Sequence, residues 1–444
     1  MGPRATIERV RGSGAAVLHA PARDRAAIVG LRFGTRRRDA AEGSLDELAG
    51  LAAAAGAAVS FRALQERLKP DPACFLGRGK VRQLAAACDE LDIGVVVVDA
   101  ELTPGQSRNL EKEIGRRVVD RTQLILDIFA SRARTREGRL QVELAQLRYL
   151  LPRLAGSGAA LSRLGAGIGT RGPGETKLET DRRRIRQRIE RLTRDLESVR
   201  SRRVRLRERR RKRSTPTVAL VGYTNAGKSS LFNRLTDGEA PSSDALFLTL
   251  DPLVRPLRLP DRRTVLVADT VGFIDRLPHT LVAAFRATLE EVAEADLLLH
   301  VIDAGHPDRD ARTAAVGRVL AEVGAADRAI RLVFNKSDLI DAESARRLRE
   351  AHPGALLVSA RTGAGRDRLI RAVTAVLGVD TRRVRFRFDD RLERDRRRIS
   401  DVYRYGRVLR HEQQGGTVAM EVEGPADVVE RWRRDGWGRE RRCS

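Results

Sequence analysis

The sequence predicts a multidomain α/β protein with parallel sheets, and three observations carry that prediction. Short aliphatic runs alternate with helix-like stretches in two separate regions, residues 26–136 and 216–378. Between them, leucines and isoleucines recur at the 4,3 spacing of packed helices. A glycine-rich loop follows directly on the first aliphatic run of the second region, at residue 222. Strand and helix patterns that alternate along a chain describe strands joined by helical crossovers, which is the parallel-sheet arrangement.

In the first region the strand candidates are Ala27 to Phe33, Ala57 to Leu64, Ile93 to Asp99 and Arg116 to Asp120. The helix candidates are Leu45 to Ala55, Lys80 to Leu91, Gly105 to Ile114 and Gln123 to Ala130. Residues 1–25 are polar and irregular and are expected to form an arm. In residues 137–213, Leu140, Leu144, Leu147, Leu151 and Leu154 form one seam, and Ile185, Ile189, Leu192, Leu196 and Val199 form a second. Two such seams predict an antiparallel helical hairpin. Pro152 should kink or end the first arm. Residues 155–175, AGSGAALSRLGAGIGTRGPGE, are too glycine-rich for a helix and should form the tip. The second arm ends in a basic run, Arg207 to Arg213.

Pro216 opens the next domain, with strands expected at Val218 to Val221, Val265 to Ala268, Leu297 to Ile302, Arg331 to Phe334 and Ala355 to Val358. Residues 379–444 read as a small α+β C-terminal module, with strands at Val384 to Phe388 and Gly416 to Val422 and the basic segment Arg391 to Arg398 between them.

The 444 residues carry 85 lysines and arginines against 60 acidic residues, a formal net charge of +25. An excess of that size favours a polyanionic partner. Three cysteines, Cys74, Cys88 and Cys443, show neither metal-ligand spacing nor an even framework. They exclude a disulfide scaffold and suit a reducing cytoplasm. No apolar run reaches 18 residues, so no membrane span is expected, and the N-terminus lacks the apolar stretch of a secretory signal.

The chemistry lies in the second α/β region. GYTNAGKSS, residues 222–230, fits the pattern G-x-x-x-x-G-K-[ST] between a strand and a helix. Gly222 and Gly227 let the backbone of Tyr223, Thr224, Asn225 and Ala226 wrap a phosphate with its N–H groups. Lys228 reaches the β and γ phosphates, Ser229 offers a hydroxyl to Mg²⁺, and Ser230 continues the helix start. The D-x-x-G segment Asp269, Thr270, Val271, Gly272 follows a strand. Asp269 should hold Mg²⁺ through a water, and the Gly272 N–H should meet the γ-phosphate. Thr249 is the best candidate for the second hydroxyl on Mg²⁺, ahead of Thr236 and Thr264. Lys228, Thr249 and Gly272 form the expected catalytic set. Asn335, Lys336, Ser337 and Asp338 select the base. The Asp338 carboxylate accepts two hydrogen bonds from the guanine edge, a donor pair that adenine lacks. Ser359, Ala360 and Arg361 end the last strand, where Ser359 and Ala360 can offer N–H groups to guanine O6. Five elements in this order predict a P-loop GTPase (Ras-like) domain that binds GTP and GDP. Ras-like proteins place a glutamine after D-x-x-G to orient the attacking water. Here that position is Phe273, so intrinsic turnover should be slow. Asn225 could help hold K⁺ between the phosphates, or could simply shape the loop.

A G domain with an apolar residue after D-x-x-G is similar to the GTPases that include HflX and Obg. Three N-terminal stretches narrow the resemblance to the HflX family: FLGRGKVRQL (75–84), the long segment from DAELTPGQSRNLEKEIG to AQLRYLLPRL (99–154), and GIGTRGPGETKLETDRR (167–183). The resemblance covers roughly residues 70–378. It implies a cytoplasmic protein that binds the large ribosomal subunit and splits or recycles stalled ribosomes, notably under stress. It also implies that the hairpin loop, Gly156 to Gly174 with Arg163 and Arg171, reaches toward the peptidyl-transferase region as the RNA contact. In GAGIGTRG (165–172), Ala166 stands where glycine is expected. A monomer is expected. Two other readings compete: a regulatory GTPase whose hairpin grips a protein, and an NTP-dependent RNA-remodelling factor. The guanine-selecting tetrapeptide argues against adenine as the main base, and the basic charge argues against a purely protein partner.

Overall fold

The computed structural model describes residues 24–35, 37–154, 173–212, 215–238, 246–247, 249–260, 263–274, 286–377 and 381–437. The tip of the hairpin, with Arg163 and Arg171, lies outside the described residues, as does Cys443. Packing divides the chain into two units. One comprises residues 1–201 together with 243–251 and 276–287, and the other holds the rest.

In the first unit, strands β1 (Arg25–Arg32), β2 (Ala58–Glu66), β3 (Val95–Val98) and β4 (Arg117–Asp120) form a parallel sheet in the order β2-β1-β3-β4. Crossover helices α1 (Arg38–Ala54), α2 (Arg78–Glu90) and α3 (Pro104–Ile114) connect them, and α4 (Arg121–Arg132) follows β4. The four valines of β3 are mostly buried because parallel strands are covered on both faces. Helix α1 starts seven residues earlier than the sequence pattern suggests, since its first two turns (RDAAEGS) contribute little apolar surface. Helix α3 has a complete capping box from Thr103 and Gln106, with Pro104 in its first turn and Gly115 in the left-handed conformation at its end.

The carboxyl ends of β1 and β3 flank the point where strand order reverses, the usual position of a ligand crevice in open α/β sheets. Here charged side chains of the chain itself close it. Arg121 is buried with Glu47 and Asp99; it pairs with Glu47 and donates to Asp99 Oδ1 at 2.9 Å. Ser44 Oγ donates to the other Asp99 oxygen at 2.6 Å.

Helices α5 (Arg136–Arg153) and α6 (Pro173–Lys212) are the two arms read from the heptads. The first ends one residue after Pro152, and the second already includes Pro173 and Gly174. Leu192 is fully buried, and Arg188 forks onto Glu143 at 2.7 and 2.9 Å. In α5, however, the most buried residues include Val142, Ala145 and Tyr149, off the leucine seam. That helix packs on α4 as well as facing α6, so a single stripe underestimates its buried surface.

Leu246, Phe247 and Asp251 also pack in this unit. Phe247 meets Phe129 edge-on at 4.7 Å, and a Leu246 methyl lies 3.1 Å from where a side chain on Gly50 would begin. Asp251 accepts from the N–H groups of Arg134 (3.0 Å) and Thr135 (2.8 Å) and from the Thr135 hydroxyl, while Thr135 caps α5. A side chain at Gly138 would start 2.4 Å from Asp251 Oδ1, which explains the glycine.

The second unit contains a six-stranded sheet in the order β10-β9-β8-β5-β7-β6. Its strands are β5 (Thr217–Gly222), β6 (Leu253–Arg258), β7 (Thr264–Asp269), β8 (Leu297–Asp303), β9 (Ile330–Asn335) and β10 (Leu356–Leu357), with β6 antiparallel at the edge. The sequence reading omitted β6, because Pro256 and alternating arginines disguise an edge strand. The helices are α7 (Lys228–Thr236), α8 (Arg286–Glu294), α9 (Arg309–Glu322), α10 (Ala342–Ala351) and α11 (Arg366–Val376). The C-terminal module adds β11 (Thr381–Asp389), α12 (Glu393–Tyr405), β12 (Arg407–Gln414), β13 (Thr417–Pro425) and α13 (Ala426–Arg434). Strand β12, too polar to read as a strand, lies antiparallel to β13.

The buried triad sets a stability prediction. Arg121→Met would leave the Glu47 and Asp99 carboxylates facing one another without their cation, and should cost about 3–5 kcal/mol. Urea unfolding of the full chain would measure it; a loss below about 1 kcal/mol would show that the triad is replaceable.

Candidate nucleotide site

Strand β5 delivers the chain into the phosphate loop, and Gly222 fits there because it has no side chain. A Cβ on it would lie 2.2 Å from the carbonyl oxygen of Val301 on β8. Asn225 (φ 61°) and Gly227 (φ 85°) take left-handed backbone. Asparagine tolerates that conformation, and the Asn225 side chain is exposed.

The loop is tied to the D-x-x-G segment by a short parallel bridge between Tyr223 and Phe273. Thr224 N–H donates to Phe273 O at 2.7 Å, and Phe273 N–H donates to Gly222 O at 3.1 Å. The Phe273 side chain is 2% exposed. The residue in the glutamine's position therefore packs inward. The bridge brings Gly272 against the loop: a Cβ there would meet Thr224 Cα at 2.9 Å and Lys228 Nζ at 3.0 Å. Thr224 Oγ1 is buried and has no hydrogen-bond partner among the described residues.

Lys228 is buried and donates to the carbonyl oxygens of Gly222 (3.1 Å) and Tyr223 (2.9 Å). Burial pulls its ammonium down to about 8, with Asp269 pulling the other way. Burial, aided by the charge of Lys228, also holds His300 on β8 down at about 4, so this histidine is neutral at ordinary pH. Ser229 Oγ donates to Asp269 Oδ2 at 2.7 Å, bringing together two of the three metal candidates. Thr249 belongs to the segment 243–251 that packs with the first unit. No group of three or more His, Cys, Asp or Glu side chains suited to a metal occurs among the described residues. One carboxylate and hydroxyl oxygens suit Mg²⁺, which draws its remaining ligands from phosphate and water. The orphaned Thr224 hydroxyl and the side-chain-free cradle at Gly222 and Gly272 fit a phosphate-bound group of that kind.

At the base-selecting end, Asn335 joins two loops. Its Nδ2 donates to Ala226 O at 2.9 Å, and its Oδ1 accepts from Ala360 N–H at 3.0 Å. Lys336, at φ 60°, pairs with Asp303 at 2.8 Å, which fixes its stem. Asp338 accepts from Ser359 Oγ (2.5 Å) and from Arg361 Nε and Nη2 (3.0 and 2.5 Å). Those bonds, led by Ser359, hold its carboxyl below the ordinary range. The N–H groups expected to meet guanine O6 are already engaged, Ser359 with Ala364 O and Ala360 with Asn335. Strand β10 is only two residues long, so the turn satisfies its own donors. Ser337 opens a single 3₁₀ turn, with its N–H on Val358 O. Sequence reasoning missed His300 and Arg312, whose guanidinium lies 4.5 Å over the Tyr223 ring. Neither carries a motif.

Comparison with known proteins gives this geometry its context. Three family models match in succession: a GTP-binding GTPase N-terminal region over residues 42–130, a GTP-binding GTPase middle region over 132–210, and a 50S ribosome-binding GTPase over 217–336. A GTPase HflX of Caldanaerobacter subterraneus subsp. tengcongensis is 46% identical over 392 residues, which is 88% of this chain and 90% of that protein. This chain belongs to the HflX family. The GTPase HflX of Lacrimispora saccharolytica is 44% identical over 90% of this chain and 94% of its own length. That of Escherichia coli is 44% identical over 88% and 91%. Like its family, the chain is a GTP-binding protein and a GTPase, and the family is ribosome-associated. Among the described residues, no helix is long and apolar enough to cross a membrane.

Two predictions follow from the site's electrostatics. Bound phosphate raises the Lys228 pKa again, so binding above pH 8 must take up a proton. GDP affinity should be flat below about pH 8 and fall above it, by up to about tenfold per pH unit. Calorimetry in two buffers of different ionisation heat reads the uptake directly, and none at high pH would contradict the burial argument. Separately, Asp338→Asn turns an acceptor into a donor facing donors. It should weaken GTP and GDP together by about 2–4 kcal/mol; unchanged affinity by titration would remove Asp338 from base selection.

Proposed function

We propose that this GTPase acts on the large ribosomal subunit, using GTP binding and hydrolysis to split or recycle stalled ribosomes. The observation that carries the reading is the inward-packed Phe273 in a complete G domain. Phosphoryl transfer depends mainly on positioning and electrostatics. A site whose own water-orienting residue is apolar and buried gains most from a partner that orders it. The net charge of +25 favours RNA as that partner, and the matching family models include a 50S ribosome-binding GTPase.

In this reading the P-loop backbone and Lys228 bind the β and γ phosphates, and Gly272 N–H follows the γ-phosphate. Asn335, Lys336 and Asp338 hold the guanine, with Ser359, Ala360 and Arg361 completing the wall. Ser229, Asp269 and Thr249 would hold Mg²⁺, which when bound neutralises charge on the phosphates. Domain roles follow the boundaries 26–136, 137–213, 216–378 and 379–444, with the hairpin tip as the part that meets ribosomal RNA through Arg163 and Arg171. Glycines allow close backbone approach, and arginine forks onto phosphates or stacks on splayed bases.

Large subunits should raise GTP turnover well above the intrinsic rate. Light scattering of intact ribosomes should show dissociation by the full chain, and less by a chain lacking residues 156–174, with GDP affinity unaltered. Equal dissociation by both would make the hairpin a spacer. Failure of the full chain to cosediment with large subunits in either nucleotide would overturn the ribosomal reading itself.

A further inference from the structure

The C-terminal module lies beyond the last family model, which ends at residue 336. Its sheet, in the order β11-β13-β12, has two different faces. One buries Val384, Phe386, Phe388, Val418, Met420 and Val422 in a core shared with Trp432 and Trp437. Side chains alternate along a strand, so the residues between those form the opposite face.

The register arranges that face in four rows, the last of which sets Asp389 beside Thr417 and Thr417 beside Gln414. Arg383 stands beside Glu423, and Glu423 beside Arg407; Arg385 stands beside Glu421, and Glu421 beside Arg410; Arg387 stands beside Ala419, and Ala419 beside Glu412. A bulge between Val408 and Arg410 shifts the register so that Arg410 joins the second row. The arginine side chains are open to solvent: 67% exposed at Arg383, 55% at Arg385, 62% at Arg407 and 66% at Arg410. The central glutamates retain only 25% and 22%. Arg383 and Arg407 approach Glu423 at 3.7 Å from either side, and Arg385 approaches Glu421 at 3.3 Å. Arg410 pairs along its own strand with Glu412 at 2.7 Å. Arg387 is exposed, faces alanine, and has no ion pair among the described residues.

A merely solvated face would balance its charges. This one sets five guanidinium groups against four carboxylates, Asp389 at the end of β11 among them, and two of the carboxylates, Glu421 and Glu423, are largely covered by the flanking arginines. The shielded glutamates prop the arginines upright and leave outer N–H groups directed to solvent. Such exposed pairs are weak, so a stronger acceptor redirects a guanidinium at little cost. Residues 379–444 contain no lysine, so every side-chain ammonium is replaced by the fork that matches a phosphate. Alternate residues along β11 recur at about 6.8 Å, a step close to that between successive phosphates of an extended RNA strand. The face carries no aromatic ring to stack on a base, so it suits backbone contact without sequence preference.

We infer that the open sheet face of residues 381–425 is an RNA-backbone contact surface, with Arg383, Arg385, Arg387, Arg407 and Arg410 meeting phosphates. The inference builds on the ribosomal reading but concerns a part of the chain that reading leaves unassigned.

The test uses the full chain carrying Arg383→Gln, Arg385→Gln and Arg387→Gln together, and a second form with lysine at the same three positions. Binding to large subunits and to protein-free ribosomal RNA is measured across a salt series. Each phosphate contact contributes about 0.7 to the log–log salt slope on single strands, so the glutamine form should lose about 2 from that slope. The lysine form should restore most of the slope, and GDP affinity should stay unchanged in both. Unchanged slopes on both targets would overturn the inference. A loss seen with subunits but not with protein-free RNA would assign the face to an acidic protein and equally overturn it. If the wild type binds free RNA through this face but not the large subunit, the ribosomal reading fails and the contact surface stands.

Discussion

Two backbone hydrogen bonds between the phosphate loop and Phe273 set the geometry on which the nucleotide site depends. They lock the D-x-x-G segment to the loop at a spacing that only glycine at 272 allows, since a Cβ would strike Thr224 and Lys228. They also draw Phe273 into the interior, so the position that would orient water becomes part of the wall. Asn335 makes the corresponding join at the other end of the site, linking Ala226 to Ala360. Phosphate recognition and base recognition are thus held by contacts within one sheet and its loops.

The N-terminal sheet places charged side chains at the point where its strand order reverses. Its strand order produces the reversal at which α/β proteins commonly bind small molecules. Arg121, Glu47 and Asp99 occupy the polar space between the strand ends, and Ser44 satisfies the remaining carboxylate oxygen. Buried ion pairs of this kind need not stabilise more than apolar packing would. Here they set the chain's own charges at the strand ends where the order reverses.

Much of this was legible in the sequence, and the reasons differ by element. The loop GYTNAGKSS and the segments at 269–272 and 335–338 are readable because phosphate and guanine constrain residue type at fixed spacing. Strands β1, β3, β5 and β8 are readable because burial on both faces demands continuous aliphatic runs. Strands β6 and β12 were not read, since edge strands carry arginine, proline and glutamine that mask the period of two. The second buried stripe of α5 was hidden for a related reason: one heptad seam describes contact with one neighbour, and this helix has two. The engagement of the Ser359 and Ala360 N–H groups, the inward turn of Phe273 and the packing of Leu246, Phe247 and Asp251 depend on tertiary contacts that no local pattern encodes.

The seating of Leu246, Phe247 and Asp251 in the first unit has a consequence for how the protein is made. Asp251 supports the start of α5 through Arg134 and Thr135, 117 and 116 positions earlier in the chain, and Phe247 closes on Phe129. A chain emerging from N- to C-terminus normally completes its first domain before the next is synthesised. Here that domain waits for a stretch encoded beyond the phosphate loop. Until then, Phe129 lacks its edge-on partner Phe247 and the first turn of α5 lacks the Asp251 carboxylate that holds Arg134 and Thr135. The contacts that complete the first unit thus come from chain synthesised after the phosphate loop.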